Sequence, residues 1–333
     1  MNIKKVGLTA LAGSLVATSA FAGGLSLSGG AKMSYVSKEG TADTTNESSR
    51  FAMDQEISAT GSGELDNGFT VSLTHGLNGM SGAGATAGSD SSVITLDMGD
   101  LGTLSYDDTD GHGGLAGLED KMPKAYEEAN DGLGTTATKA VMAKMSSGTG
   151  FAYSNTVGGA AVSLQYSDGL GASTNRTDGG QDTTVASTNS SSSIGITYAV
   201  EDMGLTVFGG VGSEGQGDGK EIDHSTLGAT YAFGPATVGY QLNDEDDTAA
   251  GGTDMQTEIY GISFMVNDSL SISYGEHNTD VDGNAVDQEA KSVQASYSMG
   301  GMSINLKDSE MSGVNNVEAN SHETTEVLIT FAF

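Results

Sequence analysis

Residues 99–114 read GDLGTLSYDDTDGHGG, which combines a tight turn, a short strand and an abrupt change to acidic and glycine residues. In the strand, apolar Leu104 and Tyr106 alternate with hydroxyl residues, as is typical of a half-buried β-strand. No further strand pattern follows until Phe151, and residues 115–130 have helical character. A loop of this length inside a compact domain usually carries a function or is disordered.

The same alternation recurs along the rest of the chain and predicts sixteen strands. The first begins with Leu25 and Leu27 on one face and serines on the other, and the last places Phe331 and Phe333 at alternate positions. Half-apolar strands of this kind are typical of barrels that face lipid on the outside and water on the inside. We therefore predict an all-β fold, a 16-stranded antiparallel transmembrane β-barrel.

Short and long connections alternate between the predicted strands. The seven short ones are residues 63–68, 99–102, 157–159, 201–204, 234–235, 267–269 and 300–301. The eight long ones are residues 37–49, 78–91, 107–148, 168–191, 212–223, 243–254, 276–289 and 308–324. This order is typical of a barrel with short periplasmic turns and long external loops. Residues 107–148 are then the third external loop.

The first 22 residues have the features of a secretory signal peptide. Lys4 and Lys5 precede an apolar stretch at 6–19, and residues 20–22 (AFA) fit the small-residue cleavage pattern. The apolar stretch is shorter than the roughly 20 residues that a membrane-spanning anchor needs. We expect residues 1–22 to be removed and residues 23–333 to form a single barrel domain.

The chain is strongly acidic, with 44 Asp and Glu against 13 Lys and Arg. Such a surface repels phosphates and excludes nucleic acid as a partner. The chain has no cysteine, so stability must come from sheet closure and burial. Many acids fall in predicted long connections, for example at 214–223, 244–247 and 280–289. A cation-attracting barrel mouth and an ordinary solvated acidic surface both fit this distribution.

Three stretches of the chain resemble Gram-negative general porins of the alphaproteobacterial type. They are residues 24–29 (GLSLSG), residues 99–104 (GDLGTL) and residues 329–333 (ITFAF). The terminal Phe333, with apolar residues at alternate positions before it, resembles the signal that the outer-membrane assembly machinery reads.

The resemblance implies a trimeric 16-stranded barrel whose third external loop, residues 107–148, folds inward as a constriction loop. Acids on that loop would face basic side chains on the opposite wall, here Lys32 and Arg50 on the first two strands. The implied acidic residues of the constriction are Asp107, Asp108, Asp110, Glu119, Asp120, Glu127, Glu128 and Asp131.

Local pairing is the alternative for the two bases. Arg50 shares a strand face with Asp54 and Glu56, and Lys32 faces Asp54 on the neighbouring strand. For the loop acids, the alternative is solvation on the surface of an external loop.

The remaining polar motifs indicate neither an enzyme nor a cofactor. The five histidines lack metal-ligand spacing, and we find no nucleophile motif or phosphate-binding loop. Residues 280–287 (DVDGNAVD) resemble a short calcium-binding loop, but Ala285 stands where an EF-hand needs glycine. We expect no cofactor, with weak Ca²⁺ binding at acidic external loops as the alternative.

We expect a porin in the outer membrane of a Gram-negative bacterium that passes small hydrophilic solutes and ions by passive diffusion, with a weak preference for cations. Its partners would be outer-membrane lipid, lipopolysaccharide, the assembly machinery and further copies of the chain in a homotrimer. At the periplasmic side, the Gly23 amine would pair with the Phe333 carboxylate.

The alternative functions are a non-conducting structural or adhesive outer-membrane barrel, a secreted all-β adhesin or solenoid, and a barrel enzyme. A solenoid needs a fixed internal repeat and an enzyme needs a catalytic set near the rim, and the sequence has neither.

Overall fold

The structure is a computed structural model that describes residues 24–41, 48–78, 88–107, 113–133, 150–167, 190–217, 220–249 and 251–333. Within these ranges, sixteen strands form one closed antiparallel barrel in which each strand pairs with its sequence neighbours and β1 pairs with β16. The predicted fold class is confirmed. The strands are β1 (Leu25–Gly40), β2 (Ser48–Glu64), β3 (Thr70–Asn78), β4 (Gly88–Asp97), β5 (Thr103–Asp107), β6 (Gly150–Val157), β7 (Ala160–Ser167), β8 (Ser191–Val200), β9 (Leu205–Gly217), β10 (Lys220–Phe233), β11 (Ala236–Asp247), β12 (Met255–Asn267), β13 (Leu270–Val281), β14 (Gln288–Met299), β15 (Met302–Ser312) and β16 (Ser321–Ala332).

The two faces of the wall differ in the way the alternation predicts. Apolar side chains point outward and are exposed, as at Leu27 (70%) and Phe51 (84%). Inward side chains of the same wall are largely polar, and Gln241 on β11 and Gln288 on β14 are almost completely buried. Only a surrounding lipid phase makes this outward apolar surface favourable.

The predicted short connections are tight turns in the structure. Between β6 and β7, Gly158 (φ 60°) and Gly159 (φ 86°) both adopt positive φ, which the twist of a two-residue hairpin favours and which glycine accepts without strain. Two of the other short turns contain a 3-10 turn, Gly99–Leu101 and Glu201–Met203.

Several predicted long connections are shorter in the structure because the strands extend into them, and the prediction for residues 212–223 is wrong. Residues 212–223 are mostly strand, because β9 continues to Gly217 and β10 begins at Lys220. The acids at 244–247 likewise lie within β11 rather than in a loop. Strands that extend beyond the lipid carry polar residues on both faces, so they lose the apolar alternation that marks a strand.

The C-terminal residue contributes to closure of the barrel. Phe333 donates its N–H to the Gly29 carbonyl (3.0 Å) and accepts from the Gly29 N–H (2.8 Å). The expected partner of its carboxylate, Gly23, lies outside the described residues.

Candidate functional site

Residues 113–133, here called the inner segment, lie against the inward face of the barrel wall. Leu115 and Met122 of the segment are buried in one apolar cluster with Phe208 of β9 and Ile259 of β12. Full burial of such a side chain stabilises by about 1.5–3 kcal/mol. The apolar contacts therefore hold the first half of the segment inside the barrel.

Glycines on the inward face let the inner segment approach the wall closely. A Cβ atom at Gly261 of β12 would lie 2.8 Å from Met122 Cβ and 2.9 Å from Pro123 Cδ. A Cβ atom at Gly239 of β11 would lie 2.8 Å from Met122 Sδ. Carbon atoms in contact are normally about 3.5–4.0 Å apart, so neither position has room for a side chain while the segment stays in place.

Gln241 of β11 holds the first half of the segment with both ends of its amide. Its Nε2 donates to the carbonyl oxygens of Leu118 (2.7 Å) and Glu119 (2.9 Å). Its Oε1 accepts from the backbone N–H of Lys121 (2.9 Å). Asn243 on the same strand also donates to the Glu119 carbonyl (2.8 Å).

Gln294 of β14 holds the middle of the segment in the same way. Its Oε1 accepts from the backbone N–H groups of Tyr126 and Glu127, each at 3.0 Å, and its Nε2 donates to the Glu127 carbonyl (2.6 Å). One strand away, Ser273 Oγ of β13 accepts from the Ala125 N–H (2.8 Å). Wall side chains thus satisfy backbone groups that have no partner within the segment.

The last part of the segment is held by β15 and β16. Lys307 Nζ donates to the carbonyl oxygens of Glu128 (2.7 Å) and Asp131 (2.8 Å). His322 Nδ1 donates to the Leu133 carbonyl (2.9 Å). The contacts of the inner segment therefore extend along the wall to β16.

The expected helical character of residues 115–130 is wrong, apart from the single 3-10 turn Ala116–Leu118. Pro123 has no N–H to donate along a helix. The N–H groups of Ala125 and Tyr126, which a helix would satisfy internally, donate to wall side chains instead. Hydrogen bonds to the wall therefore replace the hydrogen bonds that a helix would form within the segment.

Asp120 is buried against the wall. His277 Nε2 of β13 lies 3.1 Å from Asp120 Oδ2, Lys124 Nζ lies 3.5 Å from the same oxygen, and the Met122 N–H donates to Oδ1 (2.7 Å). Burial alone would raise the pKa of Asp120, but the hydrogen bond and charge of His277, with Lys124 and the Met122 N–H, outweigh it and lower the pKa. An ionised Asp120 only accepts, so His277 Nε2 donates.

Glu119 and Glu128 belong to a crowded acidic cluster. Burial, with the charges of Glu128, Asp131 and Asp120, raises the pKa of Glu119 to about 7. Burial also raises the pKa of Glu128, although Lys124 Nζ lies 3.1 Å from its Oε1 and opposes the rise. Several carboxylates thus share one lysine.

The other predicted loop acids are less fully placed. Asp107 is the last residue of β5, and its backbone is in register with Val93 and Gly150. Asp108 and Asp110 lie outside the described residues, as does the stretch 134–148 of the predicted loop.

The predicted bases lie on the inward faces of β1 and β2 and are exposed. Lys32 is in register with Asp54, and Arg50 is in register with Val36. Within the described ranges, no carboxylate oxygen lies within 4.0 Å of either basic group, so the alternative of local ion pairing is not seen. No described contact joins either base to the inner segment.

The wall residues that hold the inner segment are absent from the sequence-based prediction. Gln241, His277, Gln294 and Lys307 are among them, and all four are buried. Lys307 follows the outward Leu306, so strand parity alone places it inside. Parity does not reveal which inward residues meet the loop.

The stretch that resembles a calcium-binding loop forms a tight turn after β13. Gly283 adopts φ 79°, and its N–H donates to Asp282 Oδ1 (2.9 Å). In the part of the chain that the structure describes, no three His, Cys, Asp or Glu side chains form a group that could hold a metal ion.

No helix among the described residues has the length and apolar character required to cross a membrane.

Known proteins match this chain in sequence pattern and in fold. The pattern of the family described as Gram-negative porin matches residues 7–306. A porin structure refined at 1.8 Å resolution is 16% identical, with a TM-score of 0.65 over 93% of this chain and 100% of that one. Two engineered variants of the Rh. blastica porin are 20% and 19% identical, with TM-scores of 0.64 and 0.63 over the same shares of the two chains.

A search of curated protein sequences gives no match. The family pattern nevertheless spans most of the chain, and the solved porins share its barrel over almost its full length. The chain therefore belongs to the Gram-negative porin family and is a non-enzymatic general porin of the outer membrane.

Proposed function

We propose that this porin is weakly cation-selective and that residues 107–148 are its constriction loop. The observation that carries the proposal is the inner segment, which has five carboxylates and two lysines and is held inside the barrel. Negative charge at a narrow, water-filled passage raises the local concentration of cations and lowers that of anions.

The five carboxylates contribute unequally to this charge. Asp120 is buried and paired with His277, so it acts mainly as an anchor. Glu127 lies 3.5 Å from the Lys307 ammonium, which offsets its charge. Glu119 and Glu128 interact with the single ammonium of Lys124, and Asp131 adds a further negative charge beside them, so the cluster keeps an excess of negative charge.

The opposite wall is proposed to carry the counter-charge. Lys32 and Arg50 are exposed on the inward faces of β1 and β2. Asp54 and Glu56 lie on the same face and offset the positive charges of Lys32 and Arg50. The passage therefore keeps a net negative charge.

The proposal is tested by reversal potentials of the purified protein in planar bilayers under a salt gradient. We expect ohmic conductance steps with cation preference for the wild type, and a weaker preference after Glu119, Asp120, Glu127 and Glu128 are replaced by Gln or Asn. The matched control replaces four outward acids, Glu258, Glu276, Glu289 and Glu310, with Gln and should leave the reversal potential unchanged. Anion preference in the wild type contradicts the charge argument, and a folded protein without conductance favours a non-conducting barrel.

Export and assembly are part of the proposal. The chain is cleaved after residue 22, and Phe331 and Phe333 at alternate positions form the signal for the assembly machinery. The support is the exposed, outward position of Phe331 and the pairing of Phe333 with Gly29 of β1. Mass spectrometry of the membrane form tests cleavage, and a mature chain that does not begin at Gly23 contradicts it.

The homotrimer is proposed from the family and from one surface. A groove of about 990 Å³ runs over the wall from β5 to β11, and its lining combines the outward apolar side chains Phe151, Leu164, Tyr166 and Val211 with the acids Asp223, Asp244 and Asp246. A second copy would cover the apolar part of this groove more completely than mobile lipid chains. Native mass spectrometry in detergent tests the trimer, and a monomer as the sole species contradicts it.

A further inference from the structure

Lys307 lies on the part of the barrel wall that the inner segment contacts, not on the wall across the lumen. It follows the outward Leu306 in β15, and its neighbours on the inward face, Asn305 and Ser309, are buried. The side chain of Lys307 is itself only 2% exposed. An ammonium group this deeply buried is costly unless its charge and its donors are satisfied.

The inner segment supplies the acceptors that this ammonium needs. Its Nζ donates to the carbonyls of Glu128 (2.7 Å) and Asp131 (2.8 Å), and Glu127 Oε2 lies 3.5 Å away. Glu326 of β16 is in register with Lys307 and accepts instead from the Tyr126 hydroxyl (3.3 Å).

The two carbonyls converge because residues 128–131 form a turn. The Asp131 N–H donates to the Glu128 carbonyl at 3.3 Å, and both carbonyl oxygens point to the same ammonium in the wall. Asp131 is exposed. Lys307 thus binds the backbone of the turn while an acid of that turn remains accessible to solvent.

We propose that Lys307 is a positioning residue for permeation: it holds the turn at 128–131 against the wall and so sets the width and charge of the passage. The proposal rests on the function proposed above for the loop. It assigns to Lys307 a backbone-holding role in addition to its charge.

A charge role and a positioning role predict opposite results for Lys307→Met. Loss of one positive charge alone makes the passage more cation-selective. Release of the turn widens the passage, which raises conductance and lowers selectivity. The double variant Lys307→Met/Glu127→Gln is the decisive one. It keeps the wild-type net charge and removes the hydrogen bonds by which Lys307 holds the turn.

The chain has no cysteine, so a single Asp131→Cys replacement accepts one nitroxide label and leaves the backbone carbonyl of the turn intact. Label mobility is measured by electron paramagnetic resonance in three backgrounds: wild type, Glu127→Gln and the double variant. The conductance of the same proteins is measured in planar bilayers.

We expect an immobilised label in the wild-type and Glu127→Gln backgrounds and a several-fold faster label in the double variant, with higher single-channel conductance. A faster label with unchanged conductance keeps Lys307 as the residue that holds the turn and contradicts the constriction role of the loop. An equally immobile label in all three backgrounds overturns the inference, whatever the conductance does.

The matched control is Lys291→Met/Glu289→Gln. This pair lies on the outward face of β14, with Nζ and Oε1 2.7 Å apart, and it has no contact with the turn. It should leave the label and the conductance unchanged. If Lys307→Met/Glu127→Gln does not fold, Lys307→Gln/Glu127→Gln replaces it, because the shorter amide cannot reach both carbonyls. For Lys307→Gln/Glu127→Gln, any gain in label mobility over the Glu127→Gln background supports the inference, and no gain overturns it.

Discussion

His277 Nε2 of β13 lies 3.1 Å from Asp120 Oδ2, and both side chains are almost completely buried. This contact joins the wall of the barrel to the inner segment through a charged hydrogen bond, which is stronger than a neutral one. The loop is thereby tied to the wall through a titratable group as well as through backbone hydrogen bonds.

Asp120→Asn should weaken this tie in a pH-dependent way. Because the pKa of Asp120 is lowered from its usual 3.8, its ionised form stabilises the folded protein above that pH, and the contribution is lost as pH falls through the lowered value. We expect the variant to have a lower thermal midpoint than the wild type at pH 6, by the equivalent of about 1–3 kcal/mol.

The difference between Asp120→Asn and wild type should shrink as pH falls below 3.8 towards the lowered pKa of Asp120. Circular dichroism melts at several pH values measure it, with Asp282→Asn in the turn after β13 as the control. A difference that is the same at pH 2 and pH 6 would show that the carboxylate charge is irrelevant.

Glu119→Gln should remove a pH dependence of selectivity near neutrality. Burial and the neighbouring acids raise the pKa of Glu119 to about 7, so the wild-type loop gains negative charge as pH rises through 7. Reversal potentials between pH 5 and pH 9 should show rising cation preference in the wild type and a flatter profile in the variant. Glu258→Gln on the outward face is the control and should keep the wild-type profile.

The same variant has a stability signature of the opposite sign to Asp120→Asn. An acid with a raised folded pKa stabilises the protein in its neutral form, so the wild type loses stability as pH rises from 4.5 to about 7. Glu119→Gln should lose less over that interval. A wild-type and variant pair with parallel melting profiles contradicts this assignment.

Gly261→Ala should displace the inner segment. The new Cβ would lie 2.8 Å from Met122 Cβ and 3.0 Å from the Pro123 carbonyl oxygen, and overpacking of this kind costs about 1–3 kcal/mol. We expect the segment to move into the lumen and the single-channel conductance to fall. Gly61→Ala in β2 is the control, since a Cβ atom there meets nothing within 4 Å. Conductance that changes equally in both variants argues against a specific contact.

Gln294→Leu should free the middle of the segment. It removes the acceptor of the Tyr126 and Glu127 N–H groups and the donor to the Glu127 carbonyl, and each buried group left unsatisfied costs about 1–3 kcal/mol. Trypsin should then cleave after Lys121 or Lys124 faster than in the wild type, as judged by the fragment masses.

Gln256→Leu is the control for this measurement, because Gln256 of β12 is exposed and its side chain donates to Asp244, with no bond to the inner segment among the described residues. Equal resistance of Gln294→Leu and wild type to trypsin would mean that the remaining wall contacts hold the segment alone.

The strands and their order follow from the sequence because lipid imposes a regular pattern on it. Each membrane-facing position needs an apolar residue and each lumen-facing position tolerates a polar one, so period two shows directly, as at Leu25 and Leu27. Where strands extend beyond the lipid, as in β9 and β10 around residues 212–223, this requirement ends and the pattern disappears.

The path of residues 113–133 was decided by tertiary structure. The sequence determined that a long acidic loop follows β5, and local propensity favoured a helix after Leu115. The wall overrides that propensity, because Gln241 and Gln294 bind backbone groups that a helix would satisfy internally, and Gly261 leaves space for the chain. These contacts join residues more than 100 positions apart, and no short-range pattern encodes which inward side chains the loop will meet.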